Sequence, residues 1–231
     1  MTTRQARLIA VIVLLGCACS ANAGAVARLT ASLPDIGPPP QGEVRWVVRS
    51  MRMNGVPMTL KTIRSHLQPQ ELFEHYEAQL RVRDHMETRR TVRGEWHVLA
   101  IKSRHHYTTI QVRPSVAGSE GTITVSAIPS AAKFATEFPR PLTTRLLSLQ
   151  EYDDAGVEAE HIGLSSLRAV PVETQAFLTE LTRAGWHATQ RTATRGAVIE
   201  AQRGAQQAFV TLQTDSTQPS ITTIVVVWKK S

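Results

Sequence analysis

The sequence predicts an α+β protein of two tandem ββαβββ-like repeats, each an antiparallel sheet covered by one helix. Short stretches in which apolar and polar residues alternate, separated by turn residues, predict antiparallel strands joined by short connections. In two further stretches the apolar residues recur at intervals of three or four, which places them on one face of an α-helix. The third observation is an internal sequence match at an offset of 101 to 104 residues.

That internal match has three parts in the same order. LKTIRS recurs as LSSLRA, and YTTIQV recurs as FVTLQT; between them, two apolar helix positions recur. Three matches at nearly constant spacing indicate divergence from one ancestral unit. The matched pairs are Leu60 with Leu164, Tyr76 with Phe177, Leu80 with Leu181, and Tyr107 with Phe209.

These signals divide the chain into five predicted segments. A Pro-rich stretch that includes Pro38-Pro39-Pro40 is expected to be an extended linker without packed structure. The segments are an export signal (1–23), the Pro-rich linker (24–42), a first α+β repeat (43–129), a second linker (130–141) and a second α+β repeat (142–231).

The first repeat opens with a predicted β-hairpin. Val44 and Trp46 alternate with arginine and valine up to Asn54-Gly55, a dipeptide that tolerates the positive φ angles of a two-residue turn. A helix is predicted from Pro69, since proline suits a first helical turn. Three strands follow, over 85–93, over 96–103 counted together with 107–113, and over 122–128.

The second repeat follows the same plan. Its hairpin is predicted to turn at Asp153-Asp154-Ala155-Gly156, and we prefer that turn to an acid pair or a cation site. Its helix is predicted from Pro171 to Gly185, followed by strands over 186–194, 197–202 with 209–214, and 221–229. The final strand, ITTIVVVWKK, would offer an assembly surface if it lay at a sheet edge.

The N-terminus predicts export. Arg4 and Arg7 precede an apolar run of eight residues, which is too short for a membrane span of about 20 residues. Signal peptidase I would cleave after Ala23, whereas LLGC resembles a lipobox in which Cys17 is acylated. Both processing routes stay open, and both predict the periplasmic side of the cell envelope, as a soluble or an outer-membrane-tethered protein.

Chemistry-bearing residues are abundant but unpatterned. Histidines, including His105-His106, concentrate in the first repeat, but adjacent histidines on a strand point to opposite faces and cannot chelate together. No Gly-x-Ser-x-Gly motif supports a serine hydrolase. We therefore predict no catalytic, cofactor-binding or metal site and no nucleic-acid partner.

Two other residue groups have structural interpretations. Arg89, Arg90 and Arg93 form a basic stretch that is expected to be solvated, with anionic lipid or an acidic partner as the alternative. The tryptophans are expected in the core, with ligand stacking as the alternative.

The pattern Ser-x₇-Phe-x₂-Tyr-x₃-Leu, from Ser65 to Leu80, lies between a hairpin and a meander and behind an export signal. In this respect the chain resembles tandem-repeat envelope proteins and lipoproteins of Gram-negative bacteria, some of which occur with secretion or pilus machinery. The resemblance implies a non-enzymatic structural or interaction protein whose partner is an envelope protein or a second copy. The alternative is a periplasmic ligand- or metal-binding protein that uses the His-rich first repeat.

Overall fold

The structure is a computed structural model of the 231-residue chain. It describes residues 33–81, 87–129, 134–154, 157–193 and 196–230. The predicted export signal, Cys17 and most of the first predicted linker lie outside the described residues.

Twelve strands and two helices make up the regular structure of the described residues. In chain order they are β1 Gly42–Met53, β2 Val56–Ser65, α1 Pro69–Arg81, β3 Glu87–Arg93, β4 Trp96–Lys102, β5 His106–Ser115, β6 Gly118–Ala127, β7 Arg145–Asp154, β8 Val157–Ser166, α2 Val170–Arg183, β9 His187–Ala193, β10 Gly196–Arg203, β11 Gln206–Thr214 and β12 Thr222–Lys229.

All twelve strands belong to one antiparallel sheet, in the order β3-β4-β5-β6-β2-β1-β7-β8-β12-β11-β10-β9. The predicted fold class, two ββαβββ-like repeats that each have their own sheet, is therefore wrong. The hairpin of one half pairs with the hairpin of the other, which makes one sheet out of both. Four strands follow each helix rather than three, because each stretch counted as one composite strand forms two.

The junction between the two halves of the sheet is short. β1 and β7 pair only through Met51 with Tyr152, Arg52 with Glu151, and Met53 with Gln150. Because the two strands overlap only near their C-terminal ends, the halves are staggered along the strand direction.

The β1–β2 turn strengthens this junction. Asn54 (φ 52°) and Gly55 (φ 79°) have the positive φ angles of a two-residue hairpin turn, which confirms the predicted turn. The Asn54 N–H donates to the Leu149 carbonyl at 2.8 Å, and the Leu149 N–H donates to Asn54 Oδ1 at 2.9 Å. The turn of the first half is thus hydrogen-bonded to a strand of the second.

Each half has its own hydrophobic core. In the first, Leu72, Tyr76 and Leu80 of α1 pack against β4 and β5. In the second, Phe177 and Leu181 of α2 pack against β9, β10 and β11. The two buried clusters are separate, so the sheet ladder and the polar side chains around it connect the halves.

The residues before β1 are packed against the first core. Ile36 is only 3% exposed, its carbonyl accepts a hydrogen bond from Lys61 Nζ at 2.8 Å, and the Tyr76 hydroxyl donates to the Gly37 carbonyl at 3.0 Å. The expectation that the first linker lacks packed structure is therefore wrong for its described part. Phe138, in the second predicted linker, is equally buried.

Candidate interaction surface

Strand register determines which side chains share a face of the sheet. Arg52 pairs with Glu151, and Glu151 pairs with Glu160, so these three lie on one face. In each half this face carries the helix and its hydrophobic core, and we call it the helix face. In the described part of the chain both helices pack there, so the opposite face, here called the open face, is formed by strand side chains.

The open face of the second half carries a cluster of exposed apolar side chains. Phe209, Val225 and Val227 are 48%, 45% and 36% exposed. Phe209 of β11 lies directly opposite Val227 of β12, and Val225 is the next residue of β12 on the same face. An antiparallel sheet that faces water is normally polar on that face, so this apolar patch (Phe209, Val225 and Val227) indicates a contact surface.

The open face of the first half is polar instead. Hydroxyl and amide side chains of neighbouring strands lie opposite one another in its middle, as the pairs Thr62 with Thr122 and Thr109 with Thr124 show. At one end, Arg113 Nη2 lies 2.7 Å from Glu120 Oε1, and Glu120 lies opposite Arg64. The two halves of the open face therefore differ chemically although their strands are connected alike.

The middle of the open face carries two titratable rings. Tyr152 and His161 meet edge to face, with their ring centroids 5.0 Å apart. Burial raises the pKa of Tyr152 and lowers the pKa of His161. Both rings are consequently neutral at pH 7, which suits a surface that is to exclude water.

The described histidines of the first half are not brought together, and His85 lies outside the described residues. His106 begins β5, and its Nδ1 lies 2.8 Å from Ser103 Oγ, whereas His105 is exposed in the preceding turn. His75 lies on α1 and contacts the Tyr76 ring, and His97 lies on β4. Within the described ranges, no group of three or more His, Cys, Asp or Glu side chains is arranged to hold a metal ion.

The arginines of β3 divide between the two faces of the sheet. Arg90 is on the helix face, where its Nε lies 2.9 Å from Glu77 Oε1. Arg89 and Arg93 pair with Ala100 and Trp96 on the open face. The basic stretch is therefore not one continuous surface.

The tryptophans of the second half confirm the core prediction. Trp186 and Trp228 are 3% and 4% exposed and contact each other and Phe138 at centroid distances of 5.5 to 6.4 Å. Trp46 and Trp96, in the first half, are only partly buried. Asp153 and Asp154 pair with Glu158 and Val157 across the second hairpin, so they belong to β7 and not to the predicted turn, whose other two residues lie outside the described ranges.

The final strand is not at an edge. β12 pairs with β8 on one side and with β11 on the other, so the idea that it offers a free edge is wrong. Sequence reasoning instead missed the apolar patch, which includes two residues of this same strand. The sequence signal was the unbroken apolar run IVVVW at 224–228, because a strand that is apolar on both faces is expected to be covered on both.

No protein-family model matches this chain, and no curated protein or solved structure is significantly similar to it. In the described part of the chain, none of the helices has the length and apolar character needed to span a membrane.

Proposed function

We propose that this chain is a non-enzymatic protein of the bacterial cell envelope that binds a protein partner through the open face of its sheet. The apolar patch is the observation that carries the proposal. Its three side chains are adjacent, they are 36% to 48% exposed, and they project from the two middle strands of the second half of the sheet. Exposed apolar clusters on sheets favour association with another surface, since the contact removes them from water.

The envelope location rests on the N-terminal sequence. An apolar run behind Arg4 and Arg7 supports export, and a lipobox at Cys17 supports an outer-membrane tether. The resemblance noted above supports an accessory role beside a secretion or pilus-type assembly. Mass spectrometry of the mature N-terminus tests the location: a diacylglyceryl Cys17 supports the tether, Gly24 supports a soluble periplasmic form, and retention of Met1 contradicts export.

Site-specific photo-crosslinking tests the partner surface. Thr211 is exposed and lies opposite Val225 beside the apolar patch, so a photoreactive residue there should crosslink to the partner in living cells. Gln175, exposed on α2, provides a matched control on the other face. We expect adducts at position 211 but not at 175, and their loss in a Phe209→Ser/Val227→Ser variant that remains folded. Equal adducts at both positions, or none at 211, would contradict the proposal.

A further inference from the structure

A polar cavity of about 160 Å³ lies where the two halves of the sheet meet. The pairing of β1 with β7 ends at Met51 and Tyr152, and the next residue of each strand, Ser50 in β1 and Asp153 in β7, lines the cavity. Arg52 lines it from the helix face. Because α1 packs on β4 and β5 and α2 packs on β9, β10 and β11, the cavity lies between the two helix-covered regions of the sheet.

Two residues of the first half that line this cavity each have a buried atom without a hydrogen-bond partner. Ser50 is 0% exposed, and its Oγ forms no hydrogen bond with any described residue. Arg52 Nε is also buried and has no acceptor among the described residues. Buried polar groups in folded proteins are normally hydrogen-bonded, since leaving one unsatisfied destabilises the fold. These two donors therefore indicate a ligand that brings an acceptor oxygen.

Carboxylates of the second half line the same cavity. Glu160 is already bound to Lys230 and to a threonine. The side chains of Glu151, Asp153 and Glu158 form no hydrogen bond or ion pair with another described residue. These three carboxylates outnumber the one arginine that lines the cavity, so the site attracts a positive charge.

We infer that this cavity binds the charged end of an α-amino acid. The carboxylate of the ligand accepts hydrogen bonds from Ser50 Oγ and Arg52 Nε, and its ammonium group lies against Glu151 and Asp153. A ligand with only one of these charges would satisfy only one of the two sets of groups. The cavity volume is about five times the roughly 30 Å³ that one water molecule occupies in the liquid, which leaves room for the ammonium, Cα and carboxylate.

NMR titration of the full-length chain tests the ligand class. Glycine and L-alanine are the probes, and acetate and methylammonium each carry one of the two charges. We expect the amino acids to shift the backbone amide signals of Ser50, Arg52 and Glu151, and each single-charge probe to bind at least about tenfold more weakly. If acetate or methylammonium binds as tightly as glycine, or if neither amino acid shifts these signals at about 10 mM, the inference is wrong.

Two variants test the contacts. Ser50→Ala should weaken glycine binding about 2- to 10-fold. Without glycine its thermal midpoint should not fall, because the deleted hydroxyl has no partner to lose. Arg52→Met should weaken binding at least about tenfold, whereas Arg45→Met, at an exposed arginine of the same strand, should leave the affinity unchanged. Unchanged affinity in Ser50→Ala and Arg52→Met would overturn the assignment.

This site is independent of the apolar patch, which lies on the open face. The Phe209→Ser/Val227→Ser variant, which tests the proposed function, should bind glycine with the affinity of the unmodified chain. Loss of glycine binding in that variant would contradict a site at the junction.

Discussion

The hydrogen bonds of Asn54 to Leu149 predict how strongly one turn residue stabilises the junction. In Asn54→Ala, the partly buried Leu149 N–H loses its acceptor, a loss worth about 1 to 3 kcal/mol. Alanine at a φ of 52° adds about 1 kcal/mol of backbone strain. We therefore expect the free energy of unfolding to fall by about 2 to 4 kcal/mol.

Two further variants separate these contributions. Asn54→Gly removes the acceptor but tolerates the positive φ, so it should be about 1 kcal/mol more stable than Asn54→Ala. Asn54→Asp keeps an acceptor for Leu149 and should be the most stable of the three. Urea unfolding gives the free energies, and amide hydrogen exchange at Leu149 reports the junction directly. Equal stability of the Asp and Gly variants, with unchanged exchange at Leu149, would refute the role of the side-chain hydrogen bond.

Three further predictions concern buried groups. Glu160→Ala removes a carboxylate that is 4% exposed and bound to a lysine and a threonine. Urea unfolding should therefore show that the free energy of unfolding falls by about 2 to 3 kcal/mol. The control Glu158→Ala, at an exposed position, should lower it by about 0.5 kcal/mol or less. Burial raises the pKa of Tyr76 well above its usual value, so the unfolded chain loses this proton first and stability should fall as pH rises past about 10. A pH series of urea melts should show that this loss is smaller in Tyr76→Phe. Gly121→Ala should lower the thermal midpoint of unfolding markedly, because the new Cβ would overlap a backbone carbonyl of β5. In the control Gly163→Ala, the new Cβ meets only a serine hydroxyl, which can rotate away. Equal midpoints for the two variants would contradict the predicted clash at Gly121.

Local features were the most predictable from the sequence. Asn54-Gly55 specifies its turn through two adjacent positive φ angles, and Pro69 begins α1 as expected. The joining of the two hairpins was not predictable. The joining depends on three residue pairs between β1 and β7 and on the side chain of Asn54. The alternation of apolar and polar residues in β1 and β7 does not indicate whether a strand pairs on one flank or on both.

The internal match was found in the sequence, but its strand registers were wrong. Ser65 Oγ accepts a hydrogen bond from the N–H two residues later, and Ser166 Oγ does the same, each at 3.1 Å. These equivalent serines align Ile63 with Leu164, three residues away from the Leu60 match. A shift by an odd number moves a side chain to the other face, and Leu60 is indeed on the open face, unlike Leu164.

The helix match was in register because hydrophobic burial there leaves little choice. Tyr76 and Phe177 are both fully buried, and the N–H groups of Leu72 and Glu173 each donate to a carbonyl four residues earlier at 3.0 Å. Large apolar side chains on a short helix have one face to bury. Strand residues alternate between the two faces of the sheet, and apolar residues such as Leu60 also occur on the open face, so short strand matches slip.

The charges at the two hairpin tips explain why the halves of one chain join each other. Across the second hairpin, Glu151 lies directly opposite Glu160 and Asp153 opposite Glu158, and such like-charge pairs destabilise an isolated hairpin. Lys230 Nζ lies 2.5 Å from Glu160, and Arg52 of the first tip lies opposite Glu151. A second acidic tip in place of Arg52 would add repulsion. Electrostatics at the junction therefore favours pairing of the unlike tips of the two hairpins.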